Sequence, residues 1–140
     1  SLIGRQFTGN AYFHGRPSAA GAGYDGTRSG GSNQGPLSAS LVATVRARVV
    51  AYRRENGLQP DVTIPADAVT ASASGLDQHI SVRNALLQAH RVARARRMSI
   101  EMVKAIILAN TSERDLLIFG EPRVNVLMLN LELDGRNIRE

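Results

Sequence analysis

The chain has 140 residues, a formal net charge of +5 and no cysteine, which fits one domain with a core of its own and excludes disulfides. Apolar residues make up 43%, the ordinary globular share, which argues against wholesale disorder. The longest apolar runs, "AIILA" at 105–109 and the interrupted "VNVLMLNLEL" near the C-terminus, fall short of the roughly 20 residues that span a bilayer.

The first 36 residues differ from the rest. Nine of 13 glycines fall between Gly4 and Gly35, and four of six aromatics between Phe7 and Tyr24. A Gly/Ser-rich linker is flexible, but linkers rarely carry Phe7, Tyr12, Phe13 and Tyr24. The segment therefore reads as an ordered, loop-rich surface pinned by its rings, opening with a short strand in "SLIGRQF". Residues 37–140 read as the helical and mixed part. In "PLSASLVATVRARVVAYRRENG", Val42, Val45, Val49 and Tyr52 form one apolar stripe at helical spacing, with Arg46, Arg48, Arg53 and Arg54 mostly off it. Ser38 or Ser40 caps its start and Gly57 takes the left-handed stop. Pro60 and Pro65 mark a loop, with a short strand expected over 69–72. Ser81 caps a second helix whose Ala85, Leu86, Ala89, Val92 and Ala93 face one way, and Ser99 caps a third, "IEMVKAIILAN". "LLIF" at 116–119 suits a buried strand. In "VNVLMLNLELDG", Leu127, Leu129, Leu131 and Leu133 alternate, which argues strand, whereas Asn125 as a cap and Gly135 as a stop argue helix; the alternation favours strand. The fold class expected is α+β, a single small domain at 1–140 with three helices and a few short strands.

Several motifs carry chemistry on paper. "GAGYDG" at 21–26 matches the dinucleotide fingerprint by letter, but that fingerprint works between a strand and a helix, and neither flanks it. Ser29, Gly30, Gly31, Ser32 and Asn33 supply backbone amides able to cradle an anion, or simply a turn. Asp77, His79 and one of the many serines supply the residue types of a hydrolytic triad, a site defined by geometry and not by composition. The three histidines, His14, His79 and His90, lack the spacing of a helical metal pair. "RVARARRMSIEMVKAI" reads as helix, turn and helix with Arg91, Arg94, Arg96, Arg97 and Lys104, the outline of a DNA-binding helix-turn-helix; Glu101 at the start of the second helix opposes it, and basic residues on one helix usually mark a solvated face. Arginine outnumbers lysine, with Lys104 the one lysine, a bias that suits bidentate anion binding or follows genome composition.

The blocks "LIGRQFTGNAYFHGRPSAAG", "SGGSNQGP", "VTASASGLDQHIS", "RVARAR" and "GEPRVNVLMLNLELD" occur in that order. Together they resemble the KdpC family of the Kdp-type potassium-transporting ATPase, from Leu2 to Asp134. Gln78 and Val82 stand where the family often has proline, and "NALLQAH" differs from its usual middle. The resemblance implies an accessory, non-catalytic member of an ATP-driven potassium uptake complex. Its partners would be a channel-like potassium-translocating subunit, a P-type ATPase chain that carries the catalysis and a small membrane subunit, with no nucleic acid. It implies a transmembrane helix ahead of Ser1 and a domain outside the cytoplasm of a bacterial or archaeal plasma membrane. The family is commonly described as nucleotide-binding, so ATP enters at the level of the complex; no cofactor or metal is expected on this domain, and potassium is the transported ion. "YFHGRPSA" then has two readings. Tyr12, Phe13, His14 and Arg16 form a docking surface for the membrane partners, joined as candidates by Asp77 and His79. Alternatively Tyr12 and Phe13 close the core while Gly15 and Pro17 shape the turn. Aromatics dominate both settings.

Overall fold

The computed structural model describes residues 7–18, 38–72, 77–112 and 121–139. The chain divides into two units, one built from Ser1–Gly15 with Gln78–Glu140 and the other from Arg16–Asp77 between them.

Among the described residues, the first unit holds a small sheet and three helices. Strand β1 (His79–Ser81), helix α2 (Val82–Arg96), helix α3 (Ile100–Ala109), strand β2 (Thr111–Ser112), strand β3 (Arg123–Asn125) and helix α4 (Val126–Arg139) follow in order, after helix α1 (Ala39–Asn56) of the second unit. The sheet is antiparallel in the order β1-β3-β2. Ile80 and Thr111 both pair with Val124, so β3 is its centre. Both strand-to-helix junctions are tied across the sheet: the Val82 amide donates to the Pro122 carbonyl at 3.0 Å, and the Val126 amide to the Gln78 carbonyl at 2.8 Å.

Each helix starts where its side chains satisfy the free amides of the first turn. Ser81 accepts from the Asn84 amide and Ser99 from the Met102 amide. Helix α2 ends on Arg97, a left-handed residue at φ 58°, a position glycine usually fills. Arg97→Gly is expected to raise stability by up to about 1 kcal/mol, because a side chain is costly in that region; a denaturant titration checks it. The core joins Phe13, Ile80, Ala85, Ala89, Val92, Val103, Ile106, Ile107, Val124, Leu129 and Leu133.

The C-terminal segment corrects the strand expectation, and the described residues hold four helices rather than three. Within this segment Arg123–Asn125 is strand, and the leucines lie on a helix. Asn125 caps it through the Met128 amide at 3.0 Å. Val126, Leu129, Asn130 and Leu133 are buried and Met128 is exposed, which is a helical period of burial and not a twofold one. Gly135 does not stop this helix, which runs on to Arg139. The four alternating leucines thus divide, two into the core and two, Leu127 and Leu131, onto its shoulder.

The second unit is described over 38–72 and at its ends. Helix α1 (Ala39–Asn56) is capped by Ser38, which accepts from the Leu41 amide, and stopped by Gly57 at φ 63°. Tyr52 is buried, while Val42, Val45 and Val49 are half-buried. The expected strand at 69–72 is not formed; a 3-10 turn at Ala66–Ala68 precedes it, since Pro65 fixes an extended entry and the Val69 and Thr70 amides are taken by Ala66. The returning loop is held by guanidinium groups instead. Arg48 donates to the Val69 carbonyl at 3.1 Å and Arg53 to the Val62 carbonyl at 2.9 Å. The expected strands in "SLIGRQF" and at 116–119 fall on or beside residues outside the described ones.

Candidate functional site

The residues singled out from "YFHGRPSA" fall into two settings. In the first unit, residues 7–15 form a strap without regular structure, fastened to α2 and α4 by side chains. Asn130, fully buried, accepts from the Phe13 amide at 2.9 Å and donates to the Phe13 carbonyl at 3.0 Å. Gln88, also buried, does the same for His14, accepting at 2.8 Å and donating at 3.0 Å. Each side-chain amide thus presents the strap with the donor and acceptor that a neighbouring strand would supply. Asn84 accepts from the Gln88 Nε2 at 2.9 Å, which fixes which way the Gln88 amide points.

Arginines complete the fastening. Arg91 donates to the carbonyls of Asn10 and Tyr12 and to Gln88 Oε1. Arg96 donates to the Ala11 carbonyl at 2.6 Å and pairs with Asp134 at 3.1 Å. The Tyr12 hydroxyl donates to the same Asp134 carboxylate, 3.0 Å from each oxygen. The Arg96 guanidinium lies 5.0 Å from the Tyr12 ring centre, and Phe7 tilts against that ring at 4.9 Å. Such a cation above an aromatic face is held by the ring quadrupole. A guanidinium's rigid fork of donors suits it to gathering carbonyls that have no sheet partner.

The strap's side chains then go different ways. Phe13 enters the core with no exposed surface, so its ring is not at the surface of the unit; Tyr12 and His14 remain half-buried. His14 Nε2 lies 2.8 Å from the Gly9 carbonyl. Gly9, at φ 94°, is the glycine of this strap in the left-handed region, where a side chain is strained. Gly15, expected to shape the turn, is not among the positive-φ residues, and a methyl group there would meet nothing within 4 Å. His79 opens β1 opposite Asn125 and is half-buried.

Arg16 and Asp77 are the first and last residues of the second unit. The Arg16 guanidinium donates to the Thr70 carbonyl at 3.3 Å, the Thr70 hydroxyl at 3.2 Å and the Ala71 carbonyl at 3.1 Å, and lies 4.0 Å from an Asp77 carboxylate oxygen. Arg16→Ala is therefore expected to loosen the second unit by roughly 1–3 kcal/mol, the worth of bonds from a charged donor. Hydrogen exchange of 38–72 against 79–111 reads it, with faster exchange confined to the former.

Sequence reasoning placed the strap residues but missed what holds them. Gln88, Asn130 and Asp134 had been given no role; the signal for the first two was a side-chain amide at a core position of a helical stripe. Arg91 and Arg96, read as part of a DNA-binding surface, turn toward the strap, which leaves Arg94, Arg97 and Lys104 outward. Among the described residues, no three His, Cys, Asp or Glu side chains are grouped to hold a metal, and no helix is long and apolar enough to cross a membrane. The candidates Ser29, Gly30, Gly31, Ser32 and Asn33, and "GAGYDG", lie outside the described residues.

Comparison with known proteins matches residues 1–135 to the family described as KdpC, K+-transporting ATPase, c chain. The chain is 57% identical over 132 residues to the potassium-transporting ATPase KdpC subunit of Mycobacterium tuberculosis, covering 94% of this chain and 70% of that protein. It is 56% identical over 135 residues to the KdpC subunit of Polynucleobacter asymbioticus, covering 96% and 71%. Against the KdpC subunit of Myxococcus xanthus it is 53% identical over 138 residues, covering 97% and 64%.

Proposed function

The chain belongs to the KdpC family of the K+-transporting ATPase, and on that premise we propose that it is an accessory, non-catalytic subunit that helps assemble and stabilise the potassium pump. The observation that carries this reading is the match over residues 1–135, which takes in the strap and the described helices and strands up to the last turn of α4. The partners are the channel-like potassium-translocating chain, the P-type ATPase chain that hydrolyses ATP, and a small membrane subunit. A transmembrane anchor holds the domain against the outer side of the plasma membrane.

Partly exposed Tyr12, His14, Arg16, Asp77 and His79 are the docking candidates. Loops positioned by a rigid scaffold commonly carry recognition, and the strap is a loop rigidly positioned by α2 and α4. Co-purification of the membrane subunits with and without this chain tests the reading: loss of the chain is expected to lower the yield of intact complex. Equal recovery of a fully active complex would sink it.

An ATP contribution rests on the resemblance, with Ser29–Asn33 as its candidate residues. A calorimetric titration of this chain with ATP is expected to show no saturable micromolar binding, because neither "GAGYDG" nor "SGGSN" is flanked in the sequence by the strand-then-helix pattern that would align amides with a helix dipole. Micromolar binding that disappears when Ser29–Asn33 are substituted would establish a nucleotide site instead.

A further inference from the structure

We propose that Met102 is a site of reversible oxidation by peroxides, with Arg136 placed to receive the sulfoxide oxygen. Side chains between α3 and α4 form one chain of contacts. Glu132 on α4 accepts through Oε1 from Asn110 Nδ2, at the end of α3, at 3.0 Å. Its other oxygen, Oε2, accepts from Arg136 Nε at 3.2 Å and Nη2 at 3.0 Å. That pairing takes one edge of the planar guanidinium and fixes its orientation. The remaining nitrogen, Nη1, lies 3.9 Å from the Sδ of Met102, in the first turn of α3. A thioether is a weak acceptor, so this contact is the weakest of the chain.

Oxidation changes that contact most. A sulfur lone pair attacks one oxygen of hydrogen peroxide. The S–O bond forms as the O–O bond breaks, and the departing hydroxide takes the proton from the new S–OH group and leaves as water. Sulfur loses two electrons and the peroxide gains them. The product oxygen carries partial negative charge, which an arginine N–H holds as a charge-assisted hydrogen bond. An oxygen added on this side of the sulfur falls within reach of Nη1. Reductases restore the thioether, so the contact can be switched both ways. Exposure does not single out this methionine. Met128 is more exposed, 53% against 44% for Met102, and among the described residues no such donor meets its sulfur. Met98 packs against the core. Solvent access by itself ranks Met128 first, whereas the Arg136 geometry ranks Met102 first. The inference does not depend on the accessory role in the pump.

The test is a time course of the folded chain in dilute hydrogen peroxide, with each methionine followed by peptide mass spectrometry. Met102 is expected to oxidise about threefold to tenfold faster than Met128, the effect of a bond from a charged donor discounted for its exposure, with Met98 slowest. R136Q, checked for its helices by circular dichroism, should bring Met102 to the Met128 rate or below it and leave Met128 unchanged. The oxidised wild type should exchange the amides of α3 more slowly than the reduced chain, and methionine sulfoxide reductase should reverse the change. M102L, which nearly keeps the volume, should show no such response to peroxide. Oxidation that follows exposure, with Met128 first, would overturn the proposal. So would a Met102 rate indifferent to R136Q in the folded variant, or α3 exchange that is unchanged or faster after oxidation. Should R136Q fail to fold, the ratio of the two rates in the wild type tests the proposal by itself.

Discussion

Phe13→Ala is expected to cost the first unit about 3–5 kcal/mol, the usual range for emptying a buried phenylalanine site. Phe13 has no exposed surface and packs in a core with Ile80, Leu129 and Leu133. It is also the point where the strap enters that core, since its amide and carbonyl are both held by Asn130. The cavity would therefore form beneath a segment that has no sheet bonds to hold it in place. Against a whole-domain stability of roughly 5–15 kcal/mol, the loss is a large share of the total and populates the unfolded state at the lower end of that range. Phe13→Leu, which refills most of the volume, is expected to cost less than half as much. Urea titrations followed by circular dichroism give both values. If Phe13→Ala unfolds at the wild-type midpoint yet abolishes assembly, the ring serves a partner and not the core.

Asn130→Leu tests the fastening itself. Leucine nearly matches asparagine in shape and is the better helix former, so neither volume nor propensity should suffer. What is lost is one acceptor and one donor, 2.9 and 3.0 Å from the Phe13 backbone. An unsatisfied buried polar group costs about 1–3 kcal/mol, and two are left here, so a loss of about 2–5 kcal/mol is expected. The effect should be local as well as global: the Phe13 and His14 amides should exchange far faster than those of α3. Uniform acceleration, or a stability unchanged within error, would show that the strap is held by Phe13 and the arginines without the amide clamp. Gln88→Leu offers the parallel experiment one residue along the strap, at His14.

The helix starts were legible because capping is local chemistry. Ser38, Ser81 and Ser99 each stand before an apolar stripe at helical spacing, and each accepts an amide proton from three residues on. The family was legible from ordered blocks of sequence. The setting of Arg16 was less so. Arg16 next to two aromatics looks like an exposed anchor, yet its guanidinium is spent on Thr70, Ala71 and Asp77, partners more than 50 residues away that no local pattern announces.

By itself the sequence determined the three serine-capped helices, the α+β class and the family, because caps, helical stripes and ordered motifs are properties of neighbouring residues. Only the tertiary structure decided the C-terminal segment and the strap. Leu127 to Leu133 carry both periods at once, and a helix prevails because Leu129 and Leu133 then reach one core beside Asn130, which in turn can meet Phe13 only from that helix. The strap has no period to read. Its conformation is set by Gln88, Arg91, Arg96, Asn130 and Asp134, whose donors and acceptors become partners of residues 10–14 only after α2 and α4 have packed.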